Sequence, residues 1–232
     1  MDSNAINIHL TLVPYLSAAG ELKTKPTQNS VKKLRELGLQ PDILVCRTEH
    51  HLGSEIKRKI AQFCNVERDA VIESLDAESI YHVPLLMQSE MLDKVALRKL
   101  GLKDETSVSL HFWNDFLSRL KNPTSEVKIV VVGKYVELQD AYKSIAEAFI
   151  HSGAANNCKV KISWIQSEKV SPLNVKEKLK QYDGILVAPG FGDRGIVGKI
   201  EAVKYARTEK VPFFGICLGM QCAVVELSLI HI

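Results

Sequence analysis

One heptapeptide stands out chemically: Gly215-Ile216-Cys217-Leu218-Gly219-Met220-Gln221. Cys217 has a glycine two residues to either side and lies where an apolar, strand-like run meets a helical one. This spacing suits a nucleophile elbow with sulfur in place of oxygen. Glycines let the chain turn sharply without Cβ clashes. The helix that follows would aim the positive end of its dipole at Cys217 and favour the thiolate. The N–H after the nucleophile, that of Leu218, would face a developing oxyanion. The competing reading is a buried, inert cysteine at a strand–helix junction. Cys222, one turn further on, carries no sign of more than a core role.

Two further segments hold chemical potential. Ala188-Pro189-Gly190-Phe191-Gly192-Asp193-Arg194-Gly195 is glycine-rich and follows an apolar run. Open α/β sheets place their sites at the C-terminal ends of strands. N–H groups of this loop would supply the second half of an oxyanion hole beside Cys217; an ordinary βα turn is the alternative. Lys23-Thr24-Lys25-Pro26-Thr27-Gln28 gathers two lysines, two hydroxyls and an amide. Such a set can grip a phosphate and a base edge, with Pro26 restraining the loop. A solvated surface loop explains the same composition.

The elements that must position these residues follow from periodicity. Strand-like runs cover residues 6–12 and 42–46, a loop is expected over 21–28, and helical spacing covers 30–37 and 54–63. Gly38 is placed as a helix stop and Ser54 as an N-cap. Val71-Ile72 opens another apolar segment, and residues 81–100 read as two short helices. Residues 101–125 are soft in composition and carry one amphipathic helix over 108–120. We read this stretch as a linker; a helix packed within a single domain is the alternative. Beyond it, strands over 127–132, 159–165, 184–187 and 212–216 alternate with helices over 141–152, 175–181, 196–206 and from 218. Strict alternation implies parallel pairing and a doubly wound α/β sheet.

Composition bounds the function classes. A chain of 232 residues makes one large domain or two small ones. Thirty Lys+Arg against 27 Asp+Glu leave +3, which does not suggest a polybasic nucleic-acid surface. Hydrophobics at 46% and charged residues at 25% are ordinary globular values. No apolar run reaches the roughly 18 residues that span a bilayer, and Met1-Asp2-Ser3-Asn4 opens no signal peptide. No nucleic acid and no membrane are therefore expected as partners. Five cysteines at irregular spacing, with no CxxC, argue against a disulfide scaffold or zinc site and fit a reducing cytosol.

His9-Leu10-Thr11-Leu12-Val13-Pro14-Tyr15, followed by Gly20-Glu21-Leu22 and the segment from Lys23 to Gln28, resembles the CTP synthase family. So do Gln40-Pro41-Asp42, Phe63-Cys64-Asn65-Val66, and Gly133-Lys134-Tyr135 with Asp140-Ala141-Tyr142-Lys143-Ser144. The loop from Pro189 to Gly192 and the Cys217 elbow complete a resemblance over residues 6–226. It implies a doubly wound sheet of class I glutamine amidotransferase type, preceded by the end of a P-loop-type α/β synthase domain. The implied division is 1–102 for the synthase part, 103–126 for a linker with one helix, and 127–232 for the first half of the amidotransferase.

The resemblance also implies an activity. Family members phosphorylate UTP at O4 with MgATP, and ammonia released from glutamine by a Cys-His-Glu triad then displaces the phosphate. GTP activates glutamine hydrolysis, CTP inhibits by feedback, and the enzyme is a cytoplasmic homotetramer. Carried onto this sequence, Cys217 is the nucleophile, and Gly190 and Leu218 are oxyanion donors. Leu218, Gly219, Met220 and Gln221 help bind glutamine, and Asp193-Arg194-Gly195 matches a mobile lid. Lys23, Thr24, Lys25, Pro26, Thr27 and Gln28, joined by Lys59, form part of the UTP/CTP site.

Departures from the family pattern bear on what this chain does alone. No GxxxxGK[ST] is present, so no P-loop and no metal ligands are assigned here. The triad His and Glu are expected beyond residue 232, and His231 is not the triad base. Asn29 stands where the family usually has His, and residues 227–232 do not resemble it. The chain is thus expected to be a truncated CTP synthase, with a non-catalytic nucleotide-binding or assembly fragment as the competing reading.

Overall fold

The computed structural model describes residues 5–103 and 108–231. Residues 104–107 of the expected linker and the last residue of the expected non-family end lie outside the described residues. The chain divides into two compact units, 1–111 and 112–232.

The first unit runs β1 (Ile8–Leu12), β2 (Tyr15–Leu16), β3 (Glu21–Leu22), α1 (Lys25–Glu36), β4 (Ile43–Thr48), α2 (Ser54–Cys64), β5 (Val71–Leu75), α3 (Val83–Ser89) and α4 (Leu92–Lys99). Its sheet is parallel in the order β1-β4-β5, with Leu10 opposite Val45 and Val45 opposite Ile72. Both faces of β4 are covered. Leu44 and Cys46 pack with Val31 of α1 and Ile60 and Cys64 of α2. Ile43 and Val45 pack with Met87 of α3 and Val95 of α4. A strand buried on both sides reads as an unbroken apolar run, which is why residues 42–46 lack alternation.

One element starts earlier than its apolar spacing predicts. α1 begins at Lys25, with Thr24 as its N-cap residue and Pro26 in the first turn. First-turn N–H groups have no intrahelical acceptor, so proline fits there without losing a bond. Residues 25–28 are therefore helical, and Pro26 initiates a helix instead of restraining a loop.

Two thiols are locked in this core. Cys46 and Cys64 are fully buried, and burial pushes their thiols up to about 12 and about 11. A thiol kept neutral by the fold but free to ionise near pH 9 when unfolded stabilises below pH 9. That contribution is lost as pH rises towards the folded value. Cys46→Ala is expected to be less stable than the parent chain at pH 8, and the gap should narrow by about 2 kcal/mol by pH 11. Urea melts across that range check it; a constant gap contradicts it.

The second unit runs α5 (His111–Lys121), β6 (Ser125–Gly133), α6 (Lys143–Ala155), β7 (Cys158–Gln166), α7 (Val175–Leu179), β8 (Gly184–Val187), α8 (Ile196–Thr208), β9 (Phe213–Gly215) and α9 (Leu218–His231). The helix expected in the linker, α5, packs here: Leu117 is buried, and the Phe116 ring stacks 5.2 Å from His151 of α6. All four strands are parallel, in the order β7-β6-β8-β9.

Alternate residues of the central strands serve opposite faces. Val130, Val132, Ile185 and Val187 pack with Leu179 of α7 and with Ala202 and Ala206 of α8. Val131 and Leu186 pack with Tyr142 and with Ile145 and Phe149 of α6. The sheet is therefore doubly wound. From β6 the chain moves outward to β7, then crosses back to β8 and β9 on the other side. The direction reverses between β6 and β8, and ligand sites of such sheets lie outside the carboxyl ends of the strands at that point. The segments emerging there are Lys134 onward and the glycine-rich loop from Ala188.

Candidate active site

Cys217 sits between the end of β9 and the start of α9. Its φ is 51°, a left-handed conformation that is costly for a residue with a Cβ. Neighbouring bonds hold it there. The Ile216 N–H donates to the Val187 carbonyl at 3.0 Å, the Gly219 N–H to Ile216 at 2.9 Å, and the Gln221 N–H to Cys217 at 3.0 Å. Both flanking glycines are required by close approach. A Cβ on Gly215 would stand 2.7 Å from the Gly219 carbonyl, and one on Gly219 would collide with the Val187 carbonyl oxygen. The strained torsion falls on the cysteine, as in a nucleophile elbow. Cys217 is exposed, whereas Cys222 on the same helix is buried. α9 is tied to α8 by a forked ion pair: Arg207 donates from Nε and Nη2 to the buried Glu226 carboxylate at 2.9 and 2.8 Å.

The glycine-rich loop after β8 is gripped from behind. Lys199 of α8 is fully buried and donates to the Ala188 carbonyl at 2.5 Å and the Pro189 carbonyl at 3.3 Å. Lys134, buried at the end of β6, donates to the carbonyls of Phe191 and Gly192. Burial pushes the Lys199 ammonium down to about 8; Cys222 and Cys217 oppose the shift, and Lys134 adds to it. The loop's front is open, with Phe191 exposed. Among the described residues, neither the Gly190 nor the Leu218 N–H donates to a protein acceptor. Arg194, in the expected lid, pairs with Glu168 at 2.8 Å and stands 5.6 Å from the Tyr135 ring centre.

Sequence reasoning gave no site role to Lys134, noted only within a family motif, or to Lys199, because lysine is by default a surface residue. A signal existed for Lys199. It shares a helical stripe with Ala202, Val203 and Ala206, all buried.

In the first unit the candidate nucleotide residues are only partly gathered. Thr24 and Lys59 line one cavity of about 490 Å³, with Tyr15, Glu21, His50 and Glu55. Lys23 pairs with Glu21, whose carboxyl this contact holds below its ordinary value. Gln28 donates to the Thr24 hydroxyl at 3.1 Å but borders a separate depression with Asn29 and Lys32. Thr27 is fully buried, and its hydroxyl donates to the Leu12 carbonyl at 2.9 Å. It holds α1 on β1 and presents no hydroxyl to solvent. Lys25 and Pro26 are exposed on the first turn of α1. Among the described residues no group of three or more His, Cys, Asp or Glu is arranged to hold a metal ion. No helix among them is long and apolar enough to cross a membrane.

Residues 1–102 match the family model for the CTP synthase N-terminus, and residues 137–229 match that for class-I glutamine amidotransferase. The CTP synthase of Cytophaga hutchinsonii is 62% identical over 226 residues, covering 97% of this chain and 42% of that protein. The chain belongs to the CTP synthase family. The CTP synthase of Flavobacterium johnsoniae is 63% identical, covering 98% of this chain and 42% of that one. That of Methanocaldococcus jannaschii is 54% identical, covering 97% and 43%. A solved structure described as the Trypanosoma brucei CTPS glutaminase domain with bound acivicin is 42% identical, with a TM-score of 0.41, covering 44% of this chain and 40% of that one. The chain thus spans about two fifths of the length of the CTP synthases it matches. The Cys217 elbow falls in the amidotransferase match, and residues 23–28 and Lys59 fall in the CTP synthase N-terminal match.

Proposed function

We propose that this chain is a segment of a CTP synthase, an enzyme that aminates UTP to CTP with glutamine as nitrogen source. The observation that carries this is the strained, exposed Cys217 within an amidotransferase region joined in one chain to the CTP synthase N-terminal region. Residues 1–102 belong to the synthase half and the amidotransferase half follows from 127; residues 103–126 are the connection, whose helix α5 packs on the second unit.

The chemistry of the glutaminase half follows from the elbow. The Cys217 thiolate adds to the side-chain carbonyl of glutamine, and the charge that forms on oxygen is met by the Gly190 and Leu218 N–H groups. Collapse breaks the C–N bond, and ammonia leaves with a proton from a general acid. Water then hydrolyses the glutamyl thioester. The first turn of α9, from Leu218 to Gln221, orients the substrate. Gly219 acts through its backbone alone, since it is packed on Val187. In the synthase half, Lys23, Lys25 and Lys59 supply positive charge for the UTP phosphates. Thr24 and Gln28 offer polar atoms, Pro26 sets the helix start, and Thr27 anchors it.

ATP and Mg²⁺ complete the reaction. The residues present do not fit them, because no phosphate-binding P-loop and no acidic cluster is found among the described residues. GTP as activator, CTP as feedback inhibitor, a homotetrameric assembly and a cytoplasmic setting belong to the same reading.

A chimera tests this: the segment replaces its 62%-identical counterpart in the Cytophaga hutchinsonii CTP synthase. It should form CTP from UTP and ATP with either glutamine or ammonia. Lys25→Ala in it should raise the UTP concentration for half-maximal rate about tenfold, the loss of one charge-assisted phosphate contact. Glutaminase activity should barely change. Absence of CTP in the chimera would sink the reading; an unchanged UTP requirement would remove Lys25 from the site.

A further inference from the structure

Two lysines stand beneath the glycine-rich loop, fully or almost fully buried. Among the described residues neither has a carboxylate partner; both donate to main-chain carbonyls. Burying an ammonium without a counter-ion is costly, and an apolar side chain of similar size would pack at less cost. Retaining two such groups at one loop therefore points to a task beyond packing.

Their geometry indicates the task. Lys199 holds the carbonyls just before Gly190, those of Ala188 and Pro189. Lys134 holds the carbonyls just after it, those of Phe191 and Gly192. A Cβ on Gly190 would stand 3.2 Å from the Lys134 Cδ and 3.5 Å from the Lys199 Nζ. The side-chain face of Gly190 is thus pressed against both lysines. With the flanking carbonyls turned inward, the Gly190 N–H is left without a protein acceptor among the described residues. The titratable groups that face Lys199 are Lys134 from the end of β6, Cys222 from α9 and Cys217 from the elbow.

Resting on the glutaminase reading of Cys217, we propose that Lys199 is a positioning residue for that reaction: with Lys134, it fixes the loop so that the Gly190 N–H meets the oxyanion formed at Cys217. Neither lysine touches glutamine. Both act through the peptide groups they hold, and their positive charge lies behind the site where negative charge develops.

Two thiol reagents separate this role from a general effect on the fold. A chloromethyl ketone built on the glutamine skeleton reacts through its ketone. The thiolate adds to the carbonyl and the oxygen becomes an anion in the oxyanion site; the sulfur then displaces chloride from the CH₂, and the first C–S bond breaks as the ketone re-forms, leaving a thioether. Iodoacetamide is attacked directly at its CH₂ with loss of iodide and needs no oxyanion donor. The 232-residue chain and its Lys199→Met variant are labelled with each reagent, and rates at Cys217 are read by peptide mass spectrometry. The chloroketone rate should fall about tenfold or more, while the iodoacetamide rate stays within about twofold. An unchanged chloroketone rate overturns the proposal, and so does an equal fall with both reagents. If Lys199→Met loses its cooperative melt, Lys134→Met decides by the same ratio. The wild-type chain separates the two levels. If its chloroketone shows no preference for Cys217 over Cys158, the glutaminase reading falls and this proposal with it. If the preference is present and survives Lys199→Met, only the positioning role falls.

Discussion

Replacing Cys217 by Ala in the full-length chimera is expected to abolish CTP formation from glutamine and to spare CTP formation from ammonia. The expected loss is about a thousandfold or more, since removing a nucleophile leaves only binding and oxyanion contacts. Ammonia-dependent synthesis should stay within about twofold, because the synthase half takes ammonia whatever its source. The substitution itself is mild. Cys217 is exposed, so no core cavity opens. Its left-handed φ is tolerated as well or as poorly by alanine. Parallel assays with glutamine and with ammonium chloride read the split. Loss of both activities would mean a folding defect, and retention of both would mean another nucleophile.

Gly219→Ala is expected to be among the most damaging single-methyl changes in the second unit. The added Cβ would meet the Val187 carbonyl oxygen, with the Val187 carbonyl carbon and Cβ close behind. These are main-chain atoms at the end of β8, which pairs with both β6 and β9 and cannot yield locally. Relief requires α9 to move off the sheet, which would also displace Cys217 and break the Ile216–Val187 hydrogen bond. A loss of about 3 kcal/mol is expected, with glutamine-dependent activity lost even in the fraction that folds. Gly192→Ala provides the contrast. Its φ of +70° strains any side chain, but no atom lies within 4 Å of the new methyl. Its cost should be about 1 kcal/mol. Urea melts of both variants check the ranking; equal costs would show that α9 is free to shift.

The doubly wound sheet was legible because strands and helices alternate strictly in the second half of the chain, and because the end of β6 and all of β8 are buried on both faces and so appear as unbroken apolar runs. The elbow was legible because close strand–helix packing admits only glycine at 215 and 219. Other features left no such mark. The first turn of α1 is polar, and apolar spacing detects a helix only once its buried face begins. Residue types alone could not separate the seven candidate nucleotide residues. Thr27 turns its hydroxyl inward to Leu12, whereas Thr24 lines a cavity. The lysines behind the loop were hidden by the rule that lysine is solvated. Their carbonyl partners at 188–192 come together only when β6 and β8 pair. The left-handed torsion at Cys217 is likewise a product of the fold, imposed by bonds from Ile216, Gly219 and Gln221.

Cysteine labelling with and without glutamine tests the central claim most directly. Of the segment's five cysteines, Cys46, Cys64 and Cys222 are buried, Cys158 is half-buried and Cys217 is exposed. Cys158, at the start of β7, therefore serves as an internal reference. The full-length chimera is treated briefly with iodoacetamide and mapped by peptide mass spectrometry. Glutamine should slow modification of Cys217 by about tenfold at saturation and leave Cys158 unchanged, while asparagine, one methylene shorter, should protect far less. Labelling of Cys217 that is indifferent to glutamine would contradict its assignment as the nucleophile.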